Sequence, residues 1–230
     1  MSRFKENVIR EKTLNELWAN SVWLTVENGY FYRVETGSYE GQLRLQLPYY
    51  VGIAETPGKR PLFPVMNPCI PAPTTDDKIA EYFLRYLVSI KNSENEDYTY
   101  GQFIFPQLNR LIDLLNRSKG ATNQATINVG DIFSVQLNDP PCLRALSFKV
   151  VGGQLNLTVY FRSWDLIAGM PENLGGLQLL KEYILSYLTF DVADGSIIAF
   201  SDGLHVYEQY FGMVENICVT KGRIREVQRE

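Results

Sequence analysis

Two adjacent glycines, Gly152 and Gly153, separate two runs of alternating apolar residues. Leu146, Phe148 and Val150 alternate with smaller or polar residues on one side, as do Leu155, Leu157, Val159 and Phe161 on the other. Period two is the pattern of a strand with one buried face. A Gly-Gly pair supplies the positive φ angles of a two-residue turn, so the stretch predicts an antiparallel hairpin in which Val151 faces Gln154. Counting outward sets Cys142 opposite Ser163 and Leu143 opposite Arg162. A cysteine and an arginine thus reach one end of the same hairpin. Strict alternation points them to opposite faces, so a bulge or strand end is needed there if both are to line one pocket.

The remaining composition narrows the class. A chain of 230 residues, 45% hydrophobic and 21% charged, predicts a single globular domain over 1–230. A formal charge of −4 argues against a general nucleic-acid binder, although local arginines still suit an anionic small molecule. No apolar run approaches a membrane-spanning length, and MSRFKENVIREK lacks the apolar centre of a signal peptide, so no membrane partner and a cytoplasmic location are expected. Three widely spaced cysteines, Cys69, Cys142 and Cys218, support neither a disulfide framework nor a zinc knuckle. The single histidine, His205, leaves nothing that asks for a metal.

In chain order, Val8, Ile9, Leu14, Leu17 and Trp18 predict an amphipathic helix over 5–19. From Val22 to Val51 the residues are of β type, with Asn28-Gly29 as a hairpin turn and alternation in GQLRLQL, a region that holds Arg33 and Arg44. Residues 57–73 contain six of the eleven prolines and read as an ordered loop. Thr75 before Asp76 and Asp77 predicts a helix start, with the helix running to about Ile90. A polar loop over 92–97 leads to a helical segment over 103–115 with Pro106 in its first turn. Residues 125–137 look extended, 174–188 read as a buried helix, and SIIAF and LHVYEQY flank the turn Asp202-Gly203. Strand spacing puts His205 and Tyr207 on one side. The basic and acidic tail over 221–230 reads as solvated. No internal repeat appears, and no glycine-rich phosphate loop follows a strand.

Four short motifs in order then carry a family resemblance. They are Tyr100-Gly101, Pro141-Cys142, the run Arg162-Ser163-x-Asp165 with Gly169, Pro171 and Asn173, and His205-x-Tyr207. Together they resemble the thymidylate synthase family, which includes the related pyrimidine hydroxymethylases, and are similar to its short archaeal-type members. Taken singly, each residue has a bland reading: Cys142 as core, His205 as a packing histidine, Asp165 as a turn or cap, Tyr100 as a core aromatic. The motifs cover roughly the C-terminal 130 residues, and the first hundred resemble the family only faintly.

The resemblance implies an α+β fold with a large bent mixed β-sheet and flanking helices, assembled as a homodimer through the sheet. It implies a pyrimidine nucleotide of the dUMP type and a reduced pterin, either 5,10-methylenetetrahydrofolate or methylene-tetrahydromethanopterin, with no metal. C5 of a pyrimidine is inert until a nucleophile adds at C6, and a thiolate suits that addition. Cys142 is the implied nucleophile. A free thiol of pKa about 8.5 is mostly protonated at neutral pH, so a guanidinium such as Arg162 is expected to favour the anion. Arg162 and Ser163 would bind phosphate, Asn173 the base edge, His205 and Tyr207 the sugar hydroxyl. Asp165 would hold the pterin, and Tyr100 would serve proton transfer at C5. Glu81, within AEYFLRYL, is the candidate for the family's catalytic glutamate.

The chain also departs from the family. Asn123-Gln124 stand near the place of an arginine pair that reaches phosphate from a partner subunit, which makes Arg33 and Arg144 candidate replacements. Leu143 follows the cysteine where histidine is usual, and Glu172 replaces an aromatic stacking surface. Only 23 residues follow Tyr207, fewer than the family's usual closing tail, which leans toward a hydroxymethylase ending or a different pterin. Methylation, hydroxymethylation and a non-catalytic nucleotide-binding relative therefore all stay open. A Cys142–His205 hydrolase is disfavoured, because no cysteine-hydrolase signature surrounds Cys142.

Overall fold

The computed structural model describes residues 5–37, 39–66, 70–92 and 98–218; Cys69 and the charged tail over 221–230 lie outside them. The elements in order are β1 (Val8–Glu11), α1 (Leu14–Asn28), β2 (Tyr30–Arg33), β3 (Leu43–Gln46), β4 (Tyr50–Ala54), α2 (Asp76–Tyr82), α3 (Gly101–Ser118), β5 (Thr126–Asn128), β6 (Leu143–Val151), β7 (Gln154–Phe161), β8 (Trp164–Asp165), α4 (Met170–Ser186), β9 (Ala193–Ser201), β10 (Leu204–Tyr207) and α5 (Phe211–Cys218). A six-stranded mixed sheet runs β1-β4-β9-β7-β6-β5, and a four-stranded sheet runs β2-β3-β10-β8. The chain crosses between them in two-residue steps at Arg162-Ser163 and at Asp202-Gly203, and in a three-residue step over 47–49. The large mixed sheet and the helices flanking it make the α+β architecture expected.

The hairpin forms as its pattern requires. Val151 pairs with Gln154, and Gly152 and Gly153 take φ values of 59° and 73°, the two positive values of a type I′ turn. The register then slips between Leu143 and Ala145, leaving Arg144 as an extra residue. Leu143 therefore faces Phe161 and not Arg162, while the Arg162 amide donates to the Cys142 carbonyl at 2.9 Å. This bulge removes the alternation conflict between Cys142 and Arg162.

Residues 5–29 differ from expectation, whereas the alternation in GQLRLQL forms β3 as expected. The 5–19 helix is replaced by strand β1 followed by α1, which begins only after Thr13. Thr13 Oγ1 accepts from the Glu16 amide at 3.2 Å while Glu16 Oε2 accepts from the Thr13 amide at 2.9 Å, a reciprocal cap that fixes the start. Asn28-Gly29 is not a hairpin turn but the end of α1, where the Gly29 amide donates to the Thr25 carbonyl. A Cβ at Gly29 would meet that carbonyl oxygen at 2.4 Å, so only glycine lets the chain leave there. The β-type residues Val22 and Thr25 are buried on α1; their packing outweighs a weak strand preference.

Thr75 does cap α2, which ends in a π-helical turn over Phe83–Leu87, three residues short of Ile90. The third helix starts at Gly101, so Pro106 lies beyond its first turn. Residues 125–137 are extended only over Thr126–Asn128, before a 3₁₀ turn at Ser134–Gln136. The helix α4 is buried over most of its surface. Gly175 and Gly176 admit Ile79 and Tyr82 of α2 so closely that a Cβ would meet them at 2.7 and 2.5 Å.

Gly101 has a similar steric reason. A Cβ there would fall 2.1 Å from the Ser89 carbonyl oxygen, so backbone and not the tip of a side chain would have to shift. Gly101→Ala is expected to cost about 1–3 kcal/mol, the usual range for overpacking. Urea denaturation checks this as a lowered midpoint at unchanged slope.

Candidate active site

A cleft of about 650 Å³ opens where the two sheets meet, within the range of small-molecule sites. Its wall includes Cys142, Arg162, Ser163, Asp165, His205 and Tyr207. The residues come from the strand ends at the two-residue crossings, so one corner of the fold gathers three of the four motifs.

Arg162 wraps the segment before the cysteine. Its Nε donates to the Pro141 carbonyl at 3.3 Å, and its Nη2 donates to the Pro140 carbonyl and to Asp139 Oδ1, the latter at 3.2 Å. The thiol of Cys142 is pushed above its ordinary range. Burial is the main cause; Arg162 and Arg44 pull down, and Asp139 and Asp165 push up. Arg162 does favour the anion, as expected, but desolvation outweighs it and nearby carboxylates offset it, so the net shift of the thiol is upward.

His205 is 98% buried, with Nδ1 2.8 Å from the Gly203 carbonyl and its pKa lowered to about 3, by burial first and then by Arg44. A carbonyl can only accept, so Nδ1 carries the proton and Nε2 is a bare acceptor. Among the described residues no group hydrogen-bonds Nε2. A buried acceptor at a cleft wall calls for a donor such as a ligand hydroxyl. Beside it, Tyr207 Oη accepts from Arg44 Nη2 at 2.6 Å, and Tyr39 packs on the Tyr207 ring at 4.2 Å.

Asp165 is held at the loop leading into α4, where Oδ1 accepts from the Ile167 and Ala168 amides at 2.8 and 3.1 Å. Burial raises its pKa and those amides lower it. From α1, Trp18 Nε1 donates to the Leu166 carbonyl at 2.8 Å and pins the same loop. Trp164 stacks on Phe161 at 4.2 Å and donates from Nε1 to Asn173 Oδ1 at 2.9 Å. Gly169 is close-fitted too: a Cβ would lie 2.9 Å from the Asp165 carbonyl oxygen and 3.4 Å from Asn173 Oδ1.

The other expected residues lie elsewhere. Tyr100 sits just behind the thiol, its Oη accepting from the Leu143 amide at 3.3 Å and its ring meeting Tyr86 edge-on at 5.0 Å. Asn173 is beyond the cleft wall, against Trp164. Glu81 projects on the exposed side of α2 and pairs with Arg85 at 2.7 Å. Arg33 donates to the Gly41 carbonyl, and Arg144 is the bulge residue. None of these five is part of the cleft wall. Conversely, Arg44 and Asp139 line it without having been singled out. Arg44 is the central arginine of GQLRLQL, but its partner Tyr207 is 163 residues away, a pairing that no local pattern shows. Among the described residues no group of His, Cys, Asp and Glu gathers to hold a metal, and no helix is long and apolar enough to cross a membrane.

A part-buried cysteine, two guanidinium groups and an acceptor-only histidine line one cleft, a set whose chemistry suits a small anionic, hydroxyl-bearing ligand. The thymidylate synthase family model matches residues 85–224. A Methanosarcina barkeri protein named "Putative thymidylate synthase" is 27% identical over 218 residues, covering 91% of this chain and 94% of the relative. Its Methanosarcina acetivorans namesake is 28% identical with the same coverage. The "Thymidylate synthase" of Novosphingobium aromaticivorans is 30% identical over 111 residues, 47% of this chain and 34% of the relative. The chain belongs to the thymidylate synthase family and is a thymidylate synthase-like enzyme.

Proposed function

We propose that the enzyme transfers a one-carbon unit from a methylene-carrying reduced pterin to C5 of a pyrimidine nucleotide, through a covalent bond between Cys142 Sγ and C6. The placement of Cys142 in one cleft with Arg162, Ser163 and His205 carries this reading. Arg162 and Ser163 take the phosphate, and His205 Nε2 accepts from the sugar hydroxyl with Tyr207 beside it. As the thiolate adds to C6, the C5–C6 electron pair moves toward the C4 oxygen and leaves C5 nucleophilic. The Tyr100 hydroxyl behind the thiol serves the proton transfers that follow.

The chemistry of Asn173 is the ground for proposing one base. Trp164 Nε1 is a donor only, so the Asn173 atom facing it is the acceptor Oδ1. The other end of the amide is then its N–H₂ group, which is turned toward Tyr82 in the free protein; turned to a bound base it is a donor matched to the C4 carbonyl of uracil and not to the C4 amine of cytosine. Uracil nucleotides are the proposed substrates.

For the one-carbon donor, the carboxylate of Asp165 at the cleft wall fits the N–H edge of a reduced pterin. The pterin, when bound, supplies the methylene carbon and, in a synthase ending, the hydride that completes the methyl group. The six-stranded sheet presents Ile53, Ile198 and Phe200 on the face away from the core, with Phe200 42% exposed. That apolar face is the proposed homodimer contact, in a cytoplasmic enzyme.

Tritium release from C5-labelled dUMP, UMP, dCMP and CMP in the presence of methylenetetrahydrofolate or its methanopterin counterpart tests the proposal. Release is expected from the uracil nucleotides, with the cytosine pair slower by about 10²-fold or more, as for a site whose donor meets a donor. Product mass then distinguishes methyl from hydroxymethyl. Absence of release from all four nucleotides with either pterin would contradict the reading.

A further inference from the structure

Asp139 has no part in the chemistry above, yet its carboxylate is on the wall of the same cleft and paired with the arginine assigned to phosphate. The two N–H groups of Arg162 Nη2 meet Asp139 Oδ1 and the Pro140 carbonyl, while Nε meets the Pro141 carbonyl. An arriving phosphate therefore finds Nη2 already engaged. Of these partners the two carbonyls are fixed by the backbone next to Cys142. Asp139 is a side chain, 56% exposed, so its pairing with Arg162 is with a group that water can also solvate. Two anions cannot share Nη2 without repulsion, so the more charged and better-matched one displaces the other.

We propose that Asp139 occupies the anion position on Arg162 while the cleft is empty, and that a phosphorylated pyrimidine binds by displacing it. The proposal rests on the assignment of phosphate to Arg162. Asp139 is a positioning residue in this account: it keeps the guanidinium folded over the Cys142 segment and lowers the affinity for phosphate in return. It also affects the thiol. The charged groups acting on Cys142 are Arg162 and Arg44 on one side and Asp139 and Asp165 on the other, with His205 neutral. Removing the Asp139 charge leaves two cations against one carboxylate.

Calorimetric titration of the full chain with dUMP and with deoxyuridine, in wild type, Asp139→Asn and Asp139→Glu, is the test. Asp139→Asn is expected to bind dUMP roughly two- to fivefold tighter, the range expected of a partly exposed ion pair. Deoxyuridine binding should not change, and Asp139→Glu should stay near wild type. Without any ligand, alkylation of the Cys142 peptide by iodoacetamide, followed by mass spectrometry against pH, should show a lower midpoint in Asp139→Asn. An unchanged or weaker affinity for dUMP in Asp139→Asn, or an equal change for both ligands, would overturn the proposal alone. Equal binding of dUMP and deoxyuridine by the wild type would contradict the phosphate role of Arg162 and the proposal with it.

Discussion

Cys142→Ala is expected to lower C5-proton release from dUMP by a factor on the order of 10⁴ or more, as for loss of a covalent nucleophile. Stability should hardly change, because Cys142 is only part-buried at the start of the hairpin and loses one sulfur atom. A thermal melt run beside the exchange assay separates the two effects. The position is demanding for a chemical reason: the thiol is next to the β6 bulge, behind it lies Tyr100, and burial keeps it protonated in the free protein. Its ionisation is therefore tied to what fills the cleft. Cys142→Ser should fail almost as completely, because a serine hydroxyl is a far weaker nucleophile in this addition.

The second large effect is one of stability. The Lys181 side chain on α4 is fully buried; its Nζ lies 3.0 Å from Asp194 Oδ1 and donates to the Gly195 carbonyl on β9. Asp194 also accepts from Gln178 Nε2 at 2.9 Å. Asp194→Ala leaves a buried ammonium facing a carbonyl and an amide, and should destabilise the fold by about 3 kcal/mol, the lower end for a broken buried pair because Asp194 is itself a third exposed. Burial already lowers the Lys181 pKa, against the opposing pull of Asp194, and the substitution lowers it further. Between that depressed value and the ordinary lysine value of 10.5, the unfolded chain binds more protons than the folded one, so stability rises with pH. The deficit of Asp194→Ala measured by urea denaturation should therefore shrink as pH is raised from 7 toward 10.

The parts of the fold legible in sequence were those with local causes. The Gly152-Gly153 turn, the Thr75 cap and the buried α4 follow from residues a few positions apart. The same locality misled at Asn28-Gly29, where a turn-forming pair ends a helix whose start depends on Thr13 and Glu16. In the site, Cys142, Arg162, Ser163, Asp165, His205 and Tyr207 were named from motifs, and they converge because two chain crossings between sheets lie side by side. Arg44 was not, since β3 comes next to β10 only in the folded sheet. Glu81 satisfied a weak motif match, but its side chain has the ordinary fate of a carboxylate on a helix face, an i,i+4 pair with arginine.

The central claim is a carbon–sulfur bond between Cys142 and pyrimidine C6, and a nucleotide with fluorine at C5 tests it most directly, since fluorine cannot leave as a proton. Incubated with 5-fluoro-dUMP and the methylene-carrying pterin, then digested, the protein should yield the peptide containing Cys142 with the masses of the nucleotide and of the methylene-bridged pterin added, because the pterin leaves only when C5 loses a proton, and Cys142→Ala should yield none. Proton release from C5-labelled dUMP by wild-type enzyme that never acquires those masses, or undiminished release by Cys142→Ala, would contradict it.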